Sequence, residues 1–106
     1  MKTRFEEMLD NYVYYIQKLT NEYYAKFPNL EVAKITIRKG RKYMKVTKVS
    51  EGMISESVHS FVEVETGNVY KAASWRAPAK HVRANIYDYN SLKNGVNEHG
   101  ANYIVR

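Results

Sequence analysis

The chain has no cysteine, two prolines, five glycines and a single tryptophan. Without cysteine, disulfides and thiolate metal sites are excluded, and a reducing compartment is the setting that fits. Gly40, Gly52, Gly67, Gly95 and Gly100 stand alone, so there is no glycine-rich phosphate loop. No apolar run approaches membrane-spanning length, and the N-terminal Met-Lys-Thr-Arg-Phe-Glu-Glu lacks a signal-peptide core. The expected location is the cytosol, with no membrane partner. Acids are missing altogether from residues 67–87.

Residues that carry chemistry are also sparse. His59, His81 and His99 are too far apart for a two-histidine metal site on one helix or hairpin. His59 beside Ser60 does not signal a dyad, because neighbouring strand residues face opposite ways. Glu63 and Glu65 share a strand face, either as a metal-binding pair or, the better reading, as a solvated edge. No nucleophile–base pair and no metal cluster can be named. The expectation is therefore a non-enzymatic protein with no catalytic residue, metal or cofactor.

What is present is a foldable chain. Its 106 residues are 44% hydrophobic and 13% aromatic, which suits one globular domain spanning 1–106. Ten tyrosines offer apolar bodies with polar tips, suited to half-buried positions and contact surfaces. The net charge of +6 falls in blocks. Residues 1–30 are neutral, 31–50 carry +6, 51–70 carry −4, 71–83 carry +4, and 84–106 are neutral.

Periodicity divides the chain into three parts. Residues 1–28 read as an amphipathic helix. Thr3 and Glu6 have capping-box spacing, and Phe5, Met8, Leu9, Tyr12, Ile16, Leu19, Tyr23 and Phe27 form one stripe. Pro28 stops it. Residues 31–75 change to a period of two, predicting strands at Val32–Lys39, Lys42–Val49, Ile54–Val64 and Val69–Ser74. In the third strand, Val58, Val62 and Val64 are expected on one face and His59, Phe61 and Glu63 on the other. Short turns make this a four-stranded antiparallel meander, and the helix stripe needs one of its faces. The fold class is α+β. Residues 76–106 read as a basic corner followed by an irregular segment with a short helical turn, and Tyr103–Arg106 as an edge strand.

Two basic blocks are candidate phosphate contacts. The first, on the first hairpin, is Arg38, Lys39, Arg41, Lys42, Lys45 and Lys48, with Arg38, Lys42 and Lys45 the leading candidates. It suits a polyanion through counterion release, or equally protects a sheet edge from aggregation. The second, Lys71, Arg76, Lys80 and Arg83, surrounds Tyr70 and Trp75. Tyr43, Tyr70 and Trp75 are candidate stacking platforms for bases, each worth roughly 1–3 kcal/mol. The alternative for Trp75 is the largest plug of the core, with Pro78 turning the chain beneath it. Arg76 and Arg83 are harder to assign to packing, since burying them needs acidic partners that the nearby sequence lacks.

Gly40-Arg41-Lys42-Tyr43, Ser57-Val58-His59-Ser60-Phe61-Val62, Thr66 through Lys80, Arg83-Ala84-Asn85-Ile86 and Gly100-Ala101-Asn102-Tyr103 together resemble a group of small uncharacterised proteins encoded by bacteriophages. The resemblance spans about residues 40–106 and leaves out the tyrosine-rich helix. At Ala84 the chain departs from the glycine usual in that pattern, which counts against a close backbone approach to a ligand there. The resemblance implies a phage origin and a place in the host cell cytoplasm, with no established activity.

Two classes of function follow. One is an accessory protein binding single-stranded DNA or RNA through the basic, aromatic surface, with micromolar or better affinity that weakens steeply with salt. The other is an interaction protein that inhibits a bacterial host or defence protein, or holds a nucleotide signal. Tyr14, Tyr15 and Tyr24, left off the helix stripe, offer a surface for a homodimer.

Overall fold

Thr3 and Glu6 close the capping box the sequence predicts. The Thr3 hydroxyl accepts from the Glu6 backbone N–H, and the Glu6 carboxylate accepts from that of Thr3, both at 3.1 Å. Helix α1 (Arg4–Tyr24) starts there. The computed structural model describes residues 2–29, 32–49 and 56–101. The helix ends before Phe27, with Ala25 as its C-cap. Leu9, Tyr12, Ile16 and Thr20 form its buried line, flanked by half-buried Phe5, Met8 and Val13. Phe27, the last residue of the expected stripe, is exposed.

The sheet is antiparallel, but it has five strands rather than four. They run in chain order: β1 (Lys34–Arg38), β2 (Tyr43–Val49), β3 (Glu56–Glu63), β4 (Asn68–Tyr70) and β5 (Ala84–Asn85). One face receives α1, through Ile35, Val46, Val62 and Val69. The opposite face carries Arg38, Tyr43, Lys45, Phe61 and Tyr70, as the register pairs Arg38↔Lys45, Lys45↔Phe61 and Phe61↔Tyr70 require.

The outer edge of β1 is partly capped. The Gln17 side chain donates to the Ala33 carbonyl at 3.0 Å and accepts from the Ile35 N–H at 2.9 Å. It satisfies two edge groups as a neighbouring strand would, a device that blunts exposed edges.

A β-bulge changes the expected faces of β3. Val46 pairs with Ser60 and Thr47 with Val58, so His59 is the extra residue. A bulge turns successive side chains to the same side. His59 and Ser60 therefore both face the helix, and Val58 joins Phe61 and Glu63 on the open face. Their partners are direct: Tyr12 Oη lies 2.7 Å from Ser60 Oγ, and His59 Nδ1 lies 2.9 Å from the same oxygen. The expectation that His59 and Ser60 point apart is thus corrected.

The C-terminal part is ordered rather than irregular. Beyond β5, Asp88 caps α2 (Tyr89–Gly95) by accepting from the Asn90 and Ser91 N–H groups. A small hairpin follows, β6 (Val96–Asn97) with β7 (Gly100–Ala101). Ala84, Ile86, Leu92, Val96 and Ala101 extend the same core. The expected edge strand at Tyr103–Arg106, and Ile54 at the start of the third predicted strand, lie outside the described residues.

Between β4 and β5 the chain makes a narrow excursion instead of continuing β4 to Ser74. Ala72 bridges Pro78, Ala79 N–H donates to the Lys71 carbonyl at 2.7 Å, and Ala73 and Ser74 N–H both donate to the Ala77 carbonyl. Trp75 and Arg76 sit at its tip.

Candidate functional site

The first basic block lies on the β1–β2 hairpin, whose alternation puts Arg38, Tyr43 and Lys45 on the open face of the sheet. The excursion from β4 brings its tip against that face. Lys45 Nζ lies 4.1 Å from the centre of the Trp75 ring, and the Arg38 guanidinium 5.5 Å from it. Such cation–π contacts are worth about 0.5–1 kcal/mol at exposed sites. Trp75 retains 41% of its surface in solvent, so it is not the core's plug. Tyr12, fully buried, fills that place.

A cavity of about 440 Å³ opens here. Its cations are Arg38, Lys39, Arg41, Lys42 and Lys45 from the first block and Arg76 from the second. Tyr43 and Phe61 supply its aromatic wall. The Tyr43 ring meets Phe61 and Tyr70 edge-on, at 6.1 Å and 6.0 Å between centres. Tyr70 is therefore tied to the site through Tyr43 rather than lining it.

One acid from the intervening block touches this surface. Glu56 holds Arg38 in a two-pronged pair, at 2.9 Å to Nε and 2.6 Å to Nη2. Hydrogen bonds from Arg38 and then Thr47 bring the Glu56 carboxyl down to about 2. Arg41, Lys42, Lys45 and Arg76 form no ion pair with any described residue.

Of the predicted contacts, Arg38, Lys42, Lys45, Arg76 and Tyr43 line this cavity, and Trp75 lies against two of them, Lys45 and Arg38. Lys71, Lys80 and Arg83 do not line the cavity. Lys71 and Lys80 are exposed at the base of the excursion, beyond its tip. Arg83 leads into β5, its N–H donating to the Val69 carbonyl at 2.8 Å. Its Nε is buried, with no hydrogen-bond partner among the described residues. The basic corner is thus two surfaces, and only its tip joins the first block. Lys39 and Arg41 of the first block's basic run line the cavity as well. Lys48, the last member of that run, pairs with Ile35 on the helix side of the sheet and donates to the Glu98 carbonyl at 3.2 Å, away from the cavity.

Part of the motif string has a packing role. Asn85 Nδ2 donates to the Thr66 carbonyl at 3.0 Å and to Asn68 Oδ1 at 2.9 Å, locking β5 to the turn before β4. Gly67 has φ 78°, and a Cβ there would strike the Tyr87 ring. Ala84 is buried in β5 against α2, so the residue that departs from the glycine pattern belongs to the core, not to the cavity.

The chain belongs to DUF7717, a family of unknown function. The match covers residues 1–101, so the family takes in the N-terminal helix that the motif resemblance left out. No curated protein and no solved structure matches the chain.

The His59–Ser60 pair forms a second polar constellation, with one direction of donation throughout. The Asn97 carbonyl, 2.8 Å from His59 Nε2, only accepts, so Nε2 carries the proton. Nδ1 then accepts from the Ser60 hydroxyl, and Ser60 Oγ accepts from Tyr12. Burial holds His59 down at about 4 and pushes the Tyr12 phenol up. Tyr12, Ser60 and His59 are all buried, so this chain of bonds ties α1, β3 and β6 together out of solvent's reach. Among the described residues no group of acids and histidines is placed to hold a metal, and no helix is long and apolar enough to cross a membrane.

Proposed function

We propose that this protein is a non-enzymatic nucleic-acid-binding protein that takes single-stranded DNA or RNA on the open face of its sheet. One observation carries the proposal: Arg76, from the second basic block, lines the same cavity as Arg38, Lys42 and Lys45 of the first. Charges more than thirty residues apart in sequence are concentrated where Tyr43 and Trp75 offer ring surfaces. Mobile cations beside aromatic platforms suit a single strand, whose bases stack while its phosphates meet the charge. Edge protection alone accounts less well for the arrangement, since the cluster lies on a sheet face and draws a residue from a separate excursion.

The motif resemblance supports a phage origin, and with it a place in the host cell cytoplasm. The competing reading, a protein that blocks a bacterial host or defence factor, would use the same basic face against an acidic surface. Fluorescence anisotropy of a labelled single strand across a salt series separates the two. The proposal expects micromolar binding at low salt, with log affinity falling linearly in log salt at a slope of about −0.7 per phosphate contacted. Absence of binding at low salt would remove it.

A further inference from the structure

The cavity holds more free charge than a passing strand needs. At about 440 Å³ it falls within the roughly 300–1,000 Å³ typical of sites for one small ligand, so one nucleotide unit fills it at a time. Inside a strand, each unit brings one negative charge, about one per 3.4 Å. Against it stand Arg41, Lys42 and Arg76, none in an ion pair with a described residue. Arg38 is committed to Glu56, whose field also reaches Lys45, and Lys39 lies within the field of Glu6. One phosphodiester leaves most of the mutual repulsion of the three unrelieved.

A phosphate at a chain end carries more, about −1.5 to −2 near neutral pH, and further phosphates in line add to it. Two arginines among the three supply flat forks that match terminal phosphate oxygens two at a time. Tyr43 in its wall, and the exposed Trp75 ring against Lys45, give the attached base an aromatic surface. We infer that the cavity selects a nucleoside bearing a terminal phosphate or polyphosphate, in preference to the interior of a strand. This rests on the reading of the cavity as the nucleic-acid site. The group has two sources, the 5′ end of an RNA and a free nucleotide.

The test uses the full chain and a short RNA of one sequence, with a 5′-hydroxyl, a 5′-monophosphate or a 5′-triphosphate, and ATP as a fourth ligand. Affinities are compared at one ionic strength by calorimetry. The triphosphate RNA should bind at least about ten-fold tighter than the hydroxyl form, with the monophosphate between them. The double variant Arg41→Ala, Arg76→Ala should lose most of that ratio. Equal affinity for the three RNAs overturns the inference and leaves strand binding standing. Tight ATP binding without binding of the hydroxyl RNA supports the inference, names the free nucleotide as the source, and overturns strand binding. If none of the four binds, both fail.

Discussion

Lys45 holds its ammonium 4.1 Å from the centre of the Trp75 ring, joining β2 to the tip of the excursion that leaves β4. The contact fixes Trp75 beside the basic cavity. It also keeps the ring on the surface, where one residue positions charge and the other a stacking face.

Replacing Trp75 should therefore cost binding more than stability. Trp75→Ala should weaken single-strand binding by roughly 5- to 150-fold, the worth of one base–aromatic stack. Trp75→Phe should retain most of the affinity. Because the ring is partly exposed, the change in unfolding free energy should stay near 1 kcal/mol or below. Anisotropy titrations and denaturant melts of the two variants check both halves.

Glu56 acts against the proposed ligand. Its carboxylate occupies both prongs of Arg38 and is the one acid in an ion pair with a cavity cation among the described residues. Glu56→Gln removes that negative charge and frees Arg38. Affinity for a single strand at low salt should rise a few-fold, since the ligand's phosphates no longer meet a like charge. The gain should fade as salt increases. Unchanged or weaker binding would place Arg38 outside the contact surface.

Stability should depend on pH through His59. Its folded pKa, about 4, lies below the ordinary 6.5 because burial disfavours the imidazolium, with Lys48 and His99 acting the same way and the Asn97 bond and Glu98 opposing. Between these values the unfolded chain binds the extra proton and the folded one does not. The stabilisation is complete above pH 6.5 and is lost progressively as pH falls through about 4, amounting to about 3 kcal/mol in all. His59→Ala should flatten that window. It should also cost about 2–4 kcal/mol at neutral pH, since Ser60 and the Asn97 carbonyl lose their partners. Chemical denaturation at several pH values measures both effects.

Gly95 ends α2 against the backbone of the segment that leads into β5, and a Cβ there would collide with the Arg83 carbonyl. A backbone atom cannot swing aside as a side-chain tip can. Gly95→Ala should lower the melting midpoint by several degrees, as expected for about 1–3 kcal/mol in a domain of this size. Binding by the protein that remains folded should be unaffected.

The helix and first two strands were legible because their signals are local. Thr3 and Glu6 mark the start of α1, and alternation over Ile35–Arg38 and Tyr43–Thr47 gives the faces directly. The faces of the first half of β3 were misassigned because a bulge at His59 leaves no trace in residue type, while the alternation rule assumes an unbroken pleat. Strand β5, two residues long, is too short to show a period, and α2 is scarcely longer. Asp88 followed by Asn90-Ser91 was the available sign of a helix start. For the site, residue chemistry was readable and assembly was not. Arg76 shares a cavity with Lys42 only because the 71–79 excursion turns its tip toward β1 and β2, whereas Arg83, equally basic in sequence, is carried away into β5.

The most direct measurement is a map of amide shift changes on adding a short single-stranded oligonucleotide to the isotopically labelled protein at low salt. Binding at the proposed site predicts the largest changes at Arg38–Lys45, Phe61 and Trp75–Arg76, with little change around the tyrosine-lined cavity between α1 and α2, where Tyr14, Tyr15 and Tyr89 lie. Changes centred on that tyrosine cavity, or no changes at saturating oligonucleotide, would contradict it.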